Sequence, residues 1–486
     1  MKNRFNLNPK GTQFTHKMVR NPEGGLVYKE NIDKNLFLQA SAFKLRNSFY
    51  WSAEDRLKNL ETAIDEERDF RYKIGLAYFL SEFLGIRLSP VIIATRLAYD
   101  LATEKYMLHS LVRKIMNRPD KITNAIAYAQ YISGSGKDLP PYFKRALKNS
   151  FEKFDAYTLR KFRLRRRKVK TADVIKLLHP KPRNIELSKL YRAIIENSPE
   201  ASIEKGTVIT QVLSDNKISN VSKKEWISNN LENIPINATV RNIKSIDDTA
   251  KNLETLSNKL KRGLRVENGF PIVKVLNPFD VLVAGLNSDS ADKMKIIDKA
   301  LSEFVNSVDL GMSGKRISIL VDVSGSMMGS NIDIVAKYFA FLFPMLKGAD
   351  IRLYAFNTRV IDMNKVVEIY KYNSDSIINV YNLVRKDFRI SGGTALADSI
   401  RKVNANDNPD LLIVFSDEIS WADSQDNFVR NISTPTIAIN PVPAGSTVFN
   451  PTKSVIKMSS IDAKIFYYIP ILANFGKFKD WIKSLI

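Results

Sequence analysis

Arg316-Ile-Ser-Ile-Leu-Val-Asp322-Val-Ser324-Gly-Ser326-Met-Met-Gly329 joins a short apolar, β-branched run to a loop of oxygen donors. The run is what a parallel strand buried on both faces needs. A carboxylate and two hydroxyls at alternate positions, just past the carboxyl end of a strand, can all face one point where a hard cation would sit. Hydroxyls in such a loop also serve as ordinary turn and helix caps. The assignment therefore needs support from elsewhere in the chain.

Two later segments supply it. Gly392-Gly393-Thr394-Ala-Leu-Ala opens a helix with a hydroxyl in its first turn, and Leu411-Leu-Ile-Val-Phe-Ser-Asp417 is a second apolar strand ending in a carboxylate. In order and context, Asp322, Ser324, Ser326, Thr394 and Asp417 resemble the metal-ion-dependent adhesion site of von Willebrand factor A domains. The departure is Glu418, where many such domains have Gly; it bears on the shape of the loop more than on the metal ligands. Two carboxylates and three hydroxyls would give Mg²⁺, or another divalent cation, a partly open octahedral shell, to be completed by water or by a partner's carboxylate or phosphate oxygen. No general base stands in the motif, and His16, His109 and His179 all lie elsewhere. The site thus reads as one for binding, with no catalytic residues expected and a Mg²⁺-dependent nuclease the weaker reading.

A chain of 486 residues is long enough for two or three domains. It contains no cysteine, which excludes disulfides, cysteine zinc sites and thiol catalysis. The first ten residues lack an apolar core, and the apolar runs around Ile465 to Phe475 fall short of the roughly 20 residues a bilayer span needs. These features lead to the expectation of a soluble, cytoplasmic protein with no membrane partner. The net charge of +23 implies a polyanionic one. Residues 311–486 hold 20 Lys/Arg against 16 Asp/Glu, so +19 of that charge belongs to residues 1–310.

Residues 1 to about 30 show no periodicity and carry turn signals at Asn21-Pro-Glu-Gly-Gly25. From Asn31 the pattern is helical almost to Leu310, with Ser89-Pro90 a clear helix start and further segments near 55–66, 72–84, 104–116, 120–133, 141–152, 252–264 and 292–305. Such a succession predicts a bundle or a stacked helical solenoid. Within it, eight of the eleven residues from Arg160 to Lys170 are basic and none is acidic. A merely solvated helix face interleaves acids, so this run favours phosphate contact; a nuclear localisation signal is another reading. His179, beside Pro180, reads as a helix stop.

The stretch from Phe154 through Pro182 resembles the TROVE module of Ro ribonucleoproteins, with its basic-aromatic segment, its Asp173-Val-Ile-Lys-Leu helix and its His179-Pro-Lys-Pro182 ending. Val19-Arg-Asn-Pro-Glu-Gly-Gly25, Trp226-Ile and Ala238-Thr-Val-Arg-Asn242 resemble further pieces of that family in the same order, and the A domain completes the arrangement. A departure lies at Ala40 to Trp51, where relatives have a Gly-rich turn and paired Tyr.

The resemblance implies an α-helical, HEAT-like solenoid over residues 1–310, curled into a ring, followed over 311–486 by a doubly wound, Rossmann-like α/β von Willebrand A domain. Gly311-Met-Ser-Gly314 marks the change of pattern. It further implies a monomeric ribonucleoprotein scaffold for small Y-type RNAs and the ends of misfolded RNAs, with an exoribonuclease or other protein as a partner of the A domain. The phosphate contacts would be Lys161, Arg163, Arg165, Arg166, Arg167, Lys168, Lys170, Lys176 and Lys181, with His179 near them. The competing class is a metal-dependent protein-binding adaptor whose basic helices are a targeting region. The expected strands and helices of the A domain are 316–323, 332–346, 351–356, 374–385, 396–403, 411–416 and 434–439, with a last amphipathic stretch at 466–485.

Overall fold

The apolar run at Arg316 becomes the centre of a six-stranded sheet. A computed structural model describes residues 18–20, 26–45, 47, 51–100, 104–134, 139–164, 167–201, 212, 219–264, 266–267, 270–271, 276–307, 310–419, 432–443, 445–449, 455–459, 463–472 and 474–485. The chain packs as two compact units: one made of residues 1–67 with 257–479, the other of 68–256 with 480–486.

The first unit begins with strands β1 (Met18–Arg20) and β2 (Leu26–Lys29) and helices α1 (Ile32–Ser41) and α2 (Ala53–Glu66). Where the sequence shows no periodicity before residue 30, β1 and β2 pair antiparallel, strands too short to leave a pattern. Ser52 starts α2 with a reciprocal capping box to Asp55.

The second unit is helical. It holds α3 (Phe70–Glu82), α4 (Ser89–Ala98), α5 (Lys105–Ile115), α6 (Pro119–Ser133), α7 (Pro141–Phe151), α8 (Ala156–Lys161), α9 (Thr171–Leu178), α10 (Ile185–Ile195), α11 (Asn220–Asn229) and α12 (Ile236–Arg241). Neighbours in sequence pair, as α3 does with α4; alternate helices also pack, α3 on α5, α5 on α7 and α4 on α6, and α6 packs on α9 beyond the short α8. Two layers of stacked helices result, the solenoid rather than the bundle of the two arrangements the pattern left open, and HEAT-like as the resemblance implies. Leu76, Leu80, Ile93, Leu108, Leu111, Ile122, Phe143 and Leu147 fill the space between them. Gly75 on α3 lies against the backbone of Ile482, and Trp481 sets its ring edge-on to Phe79 and Phe83.

Helix α13 (Ala250–Gly263) is followed by the two-residue strands β3 (Val266–Glu267) and β4 (Phe270–Pro271), a small antiparallel pair that interrupts the expected run of helices. Helices α14 (Pro278–Leu286) and α15 (Ala291–Asn306) lead to the A domain. There the chain makes β5 (Arg316–Asp322), α16 (Ser330–Met345), β6 (Asp350–Phe356), β7 (Val360–Asp362), α17 (Asn364–Tyr372), α18 (Ile377–Asp387), α19 (Leu396–Asp407), β8 (Leu411–Phe415), β9 (Thr436–Ile439), β10 (Ser446–Thr447) and β11 (Val455–Met458). The sheet order is β11-β9-β8-β5-β6-β7, parallel except for β7. Every residue of β5 after Arg316 is buried, as a strand covered on both faces requires. The chain leaves β5 to one side for β6 and returns on the other as β8, so the switch in strand order falls between the strands that end in Asp322 and lead to Asp417.

Strand β10 pairs with β2, placing the N-terminal hairpin in a second, three-stranded sheet. Val27 of β2 shares one core with Leu320, Leu412 and Val448. The final stretch forms a helical turn at Ala463–Tyr468, a short α20 (Ile469–Leu472) and α21 (Phe475–Ser484). In the first unit Phe475 and Phe478 of α21 meet Phe37 edge-on. Among the described residues no helix is long and apolar enough to cross a membrane.

Candidate metal centre and nucleic-acid interface

Three loops are tied together at the carboxyl ends of β5 and β8. Asp322 closes β5; its Oδ1 accepts from the Ser324 N–H at 2.8 Å and its Oδ2 from the Ser416 hydroxyl at 2.6 Å. The hydroxyls of Ser324 and Ser326 are 3.2 Å apart, and the Asn331 amide donates to the Ser326 carbonyl at 2.9 Å. The loop that carries Thr394 is bound to this one twice, through Gly325 N–H to the Gly392 carbonyl at 2.9 Å and Ser391 N–H to the Val323 carbonyl at 2.8 Å. Gly392 has φ +78°, which a glycine reaches without strain. Asp417 follows Ser416, and its Oδ1 accepts from the Ile419 N–H at 3.1 Å.

None of the five donors is more than 3% exposed. Carboxylates buried at the ends of adjacent strands are disfavoured by mutual repulsion, which a cation between them relieves, and the hydroxyls of Ser324, Ser326 and Thr394 in the loops beside them are the hard oxygen donors that Mg²⁺ prefers. The residues present therefore fit a divalent cation. Among the described residues no three His, Cys, Asp or Glu side chains group as metal ligands, so a cation here depends on the hydroxyls.

Glu418 adopts φ +59°, the left-handed conformation that Gly would take freely and that strains another residue by about 1–3 kcal/mol. Its side chain accounts for its presence. The carboxylate accepts from Lys457 Nζ at 3.1 and 2.9 Å, from the Thr447 hydroxyl at 2.7 Å and from the Asn440 amide at 3.4 Å. Lys457 also lies 2.9 Å from Glu30 Oε2, so one buried cation serves two buried carboxylates. Burial works against both charges, yet the ion pairs outweigh it: Glu30 is held below the usual carboxylate range, with Lys34 helping, and Lys457 above the usual lysine range. Sequence reasoning missed Ser416, Asn440 and Lys457; the only available signal was polar residues inside or just after apolar strands.

The basic run divides into different surroundings. Lys161 is exposed at the end of α8 and lies over the rings of Tyr157 and Phe162. Arg163 instead fastens the end of α10, donating to the carbonyls of Ala201 and Ile194 and to Asn197 Oδ1 at 2.7 Å. Its guanidinium is engaged in structure. Arg165 and Arg166 lie outside the described residues. Arg167 and Lys168 are exposed in a loop whose ends are joined by Leu164 N–H to Thr171 Oγ1 at 2.9 Å and Thr171 N–H to the Leu164 carbonyl at 3.2 Å. Lys170 and Lys176 are exposed at either end of α9, and His179 stops that helix with φ +47°. Lys181 is exposed, its N–H bonded to Glu152 Oε1 at 2.7 Å.

The class these observations define is a von Willebrand A-type domain in a chain with a helical stack. Residues 288–433 match the family described as VWA domain containing CoxE-like protein. The fold is also similar to that of a Ro protein: the crystal structure of Deinococcus radiodurans RO (RSR) protein matches with a TM-score of 0.53 and 13% identity, covering 92% of this chain and 100% of that one. No curated protein sequence matches.

Proposed function

We propose that this protein is a non-catalytic RNA-binding scaffold, with Mg²⁺ or a similar cation held in its A domain. The observation that carries the reading is the exposed basic set Lys161, Arg167, Lys168, Lys170, Lys176 and Lys181 around α9, beside His179, in a chain with the Ro fold. A surface of this kind is relieved of self-repulsion when phosphates displace counterions. The resemblance of the sequence to Ro ribonucleoproteins gives the RNA class: small, structured Y-type RNAs, and misfolded RNAs with unpaired ends. Recognition would then follow shape and a single-stranded end more than base sequence. Asp322, Ser324, Ser326, Thr394 and Asp417 would hold the cation, which would supply an open coordination position for a carboxylate of a protein partner such as an exoribonuclease.

The test is titration of labelled RNA at several salt concentrations. Structured RNA with a single-stranded tail should bind, and Arg167→Gln with Lys168→Gln should weaken it roughly tenfold and flatten the salt dependence. Unchanged affinity would remove α9 and its loop from the interface. Incubation of the same RNA with Mg²⁺ should leave it intact; cleavage that Asp322→Ala abolishes would make the site catalytic.

A further inference from the structure

Helices α5 and α7 contain no acidic residue between them. Their sequences, Lys-Tyr-Met-Leu-His-Ser-Leu-Val-Arg-Lys-Ile and Pro-Tyr-Phe-Lys-Arg-Ala-Leu-Lys-Asn-Ser-Phe, carry three basic residues each. Read singly, each is an ordinary amphipathic helix, with Leu108, Leu111, Val112 and Ile115 buried on one and Phe143, Ala146, Leu147 and Phe151 on the other. The stack sets them side by side, running the same way. Lys105 lies over the Tyr142 ring at 5.5 Å, His109 Nε2 is 3.2 Å from Asn149 Nδ2, and Lys153 Nζ donates to the Arg113 carbonyl at 3.3 Å.

Lys105, His109 and Arg113 are spaced four apart and so line one face of α5. Arg145 and Asn149 do the same on α7, and Lys153 follows just beyond its end. Lys105, Arg113, Arg145 and Lys153 are exposed. Among the described residues none of these four pairs with a carboxylate. The cost of bringing them together is visible at the centre of the groove: burial, then Arg113, Lys153 and Arg145 in turn, disfavour the charged form of His109. A solvated helix face would interleave acids to relieve this; a surface that meets phosphates leaves the charge in place.

We infer that the groove between α5 and α7 is a second phosphate-binding surface, which takes the backbone of an RNA strand along Lys105, Arg113, Arg145 and Lys153. The charges extend over eight residues of α5, about 12 Å at the helical rise, so they suit several consecutive phosphates and not a single anion. The groove also continues toward the α9–α10 connection: Arg183 donates to the carbonyls of Lys153 and Phe154, and Lys181 bonds Glu152. This assignment rests on the RNA-binding reading and extends it to residues outside the basic run. It supplies affinity and path, not base sequence, because backbone contacts carry no sequence information.

The experiment uses the full chain and labelled RNAs of two unrelated sequences and several lengths. Arg113→Gln with Arg145→Gln should lower affinity roughly tenfold for both sequences at moderate salt and reduce the slope of log affinity on log salt by about 1.4, the value for two single-strand phosphate contacts. The effect should vanish for RNAs too short to reach the groove. Lys224→Gln with Lys251→Gln removes the same charge from exposed positions elsewhere and should change affinity less than twofold. Equal losses in the two double variants would reduce the groove to a share of the net charge and overturn the inference. So would an unchanged affinity in Arg113→Gln with Arg145→Gln while Arg167→Gln with Lys168→Gln binds weakly, a result that leaves the RNA reading intact. If the unsubstituted protein binds no RNA, both readings fall.

Discussion

Lys457 Nζ lies 3.1 and 2.9 Å from the two carboxylate oxygens of Glu418, the residue next to the candidate metal ligand Asp417. Lys457 and Glu418 are almost fully buried, and Glu30 completes the set. Removing the cation of a buried ion network leaves its carboxylates without compensation, at a cost of about 3–5 kcal/mol. Lys457→Met should therefore lower the unfolding free energy by about that amount. Combining it with Glu418→Gly, which removes one carboxylate and frees the left-handed backbone, should recover part of the loss. Urea unfolding of the three proteins measures it; a Lys457→Met protein as stable as the unsubstituted one would exclude the network from the stability of the A domain.

The same network predicts acid sensitivity. Glu30 is held below the carboxylate range in the folded state, because Lys457 and Lys34 outweigh its burial. A depressed folded value contributes stability that is present above the unfolded value and lost as pH falls through the folded one. Glu30→Gln should accordingly flatten the decline in melting temperature below the ordinary carboxylate range, as thermal unfolding across acidic pH would read.

Metal binding should be visible without RNA. A cation that binds only the folded state stabilises it by mass action, about 2.7 kcal/mol at a hundredfold excess over the dissociation constant. Mg²⁺ should raise the melting temperature and chelator should reverse it, whereas Asp322→Ala should show neither response. With most of the positive charge outside the A domain, RNA affinity of that variant should stay within about threefold. Loss of RNA binding in a folded Asp322→Ala protein would show that the two sites act together.

Gly75 is a close-approach position. A Cβ there would overlap the carbonyl of Ile482, and backbone cannot yield as a flexible side chain can. Gly75→Ala should destabilise the second unit by about 1–3 kcal/mol, the usual cost of overpacking. Limited proteolysis should then release a peptide ending near residue 486; an unchanged digestion pattern would mean that the C-terminal helix is held without this contact.

Lys121 is buried, donating to the Ile115 carbonyl at 3.0 Å and the Ser81 hydroxyl at 3.2 Å. Burial lowers its pKa to about 8, against the opposing pull of Glu82. Near neutral pH the charge is held in both folded and unfolded states, and its full penalty is present. Between pH about 8 and the ordinary lysine range the unfolded chain binds more protons, so this group's contribution to stability rises with pH. Lys121→Met removes the titration. Its stability relative to the unsubstituted protein should fall by about 1–3 kcal/mol between pH 7 and 10, and a difference independent of pH would contradict the assignment.

The parts of this fold legible in sequence are those whose signal is local. The run before Asp322 reads as a strand covered on both faces and is one, and α4 begins at Ser89, where Ser-Pro marked it. The strands and helices expected from 332 to 439 appear with ends moved by a few residues, while β7 and α17 were not anticipated because a strand of two half-buried residues and one exposed, and a helix buried mainly through Val367 and Tyr370, leave little pattern. Other features were unreadable because they exist only after distant segments meet. Strand β2 is four residues long, too short for periodicity, and its partner β10 is two. Glu418 looked like a departure from a glycine until Lys457 and Thr447 were seen around it. Arg163 counted as one more positive charge, although its guanidinium closes the end of α10.

The pairing of the N-terminal hairpin with the A domain has a consequence for synthesis on the ribosome. Asp33 on α1 accepts a hydrogen bond from Lys479, 446 residues later, and β2 waits for β10 to complete its sheet. At about 5–20 residues per second a chain of that length takes roughly 20–90 s to emerge. Until β10 emerges, late in that interval, β2 presents an unpaired strand edge, the kind of surface on which nascent chains pair with one another. A molecular chaperone covering β2 would serve this protein until β10 is made, and the order of translation, not the strength of any one contact, sets how long that protection is needed.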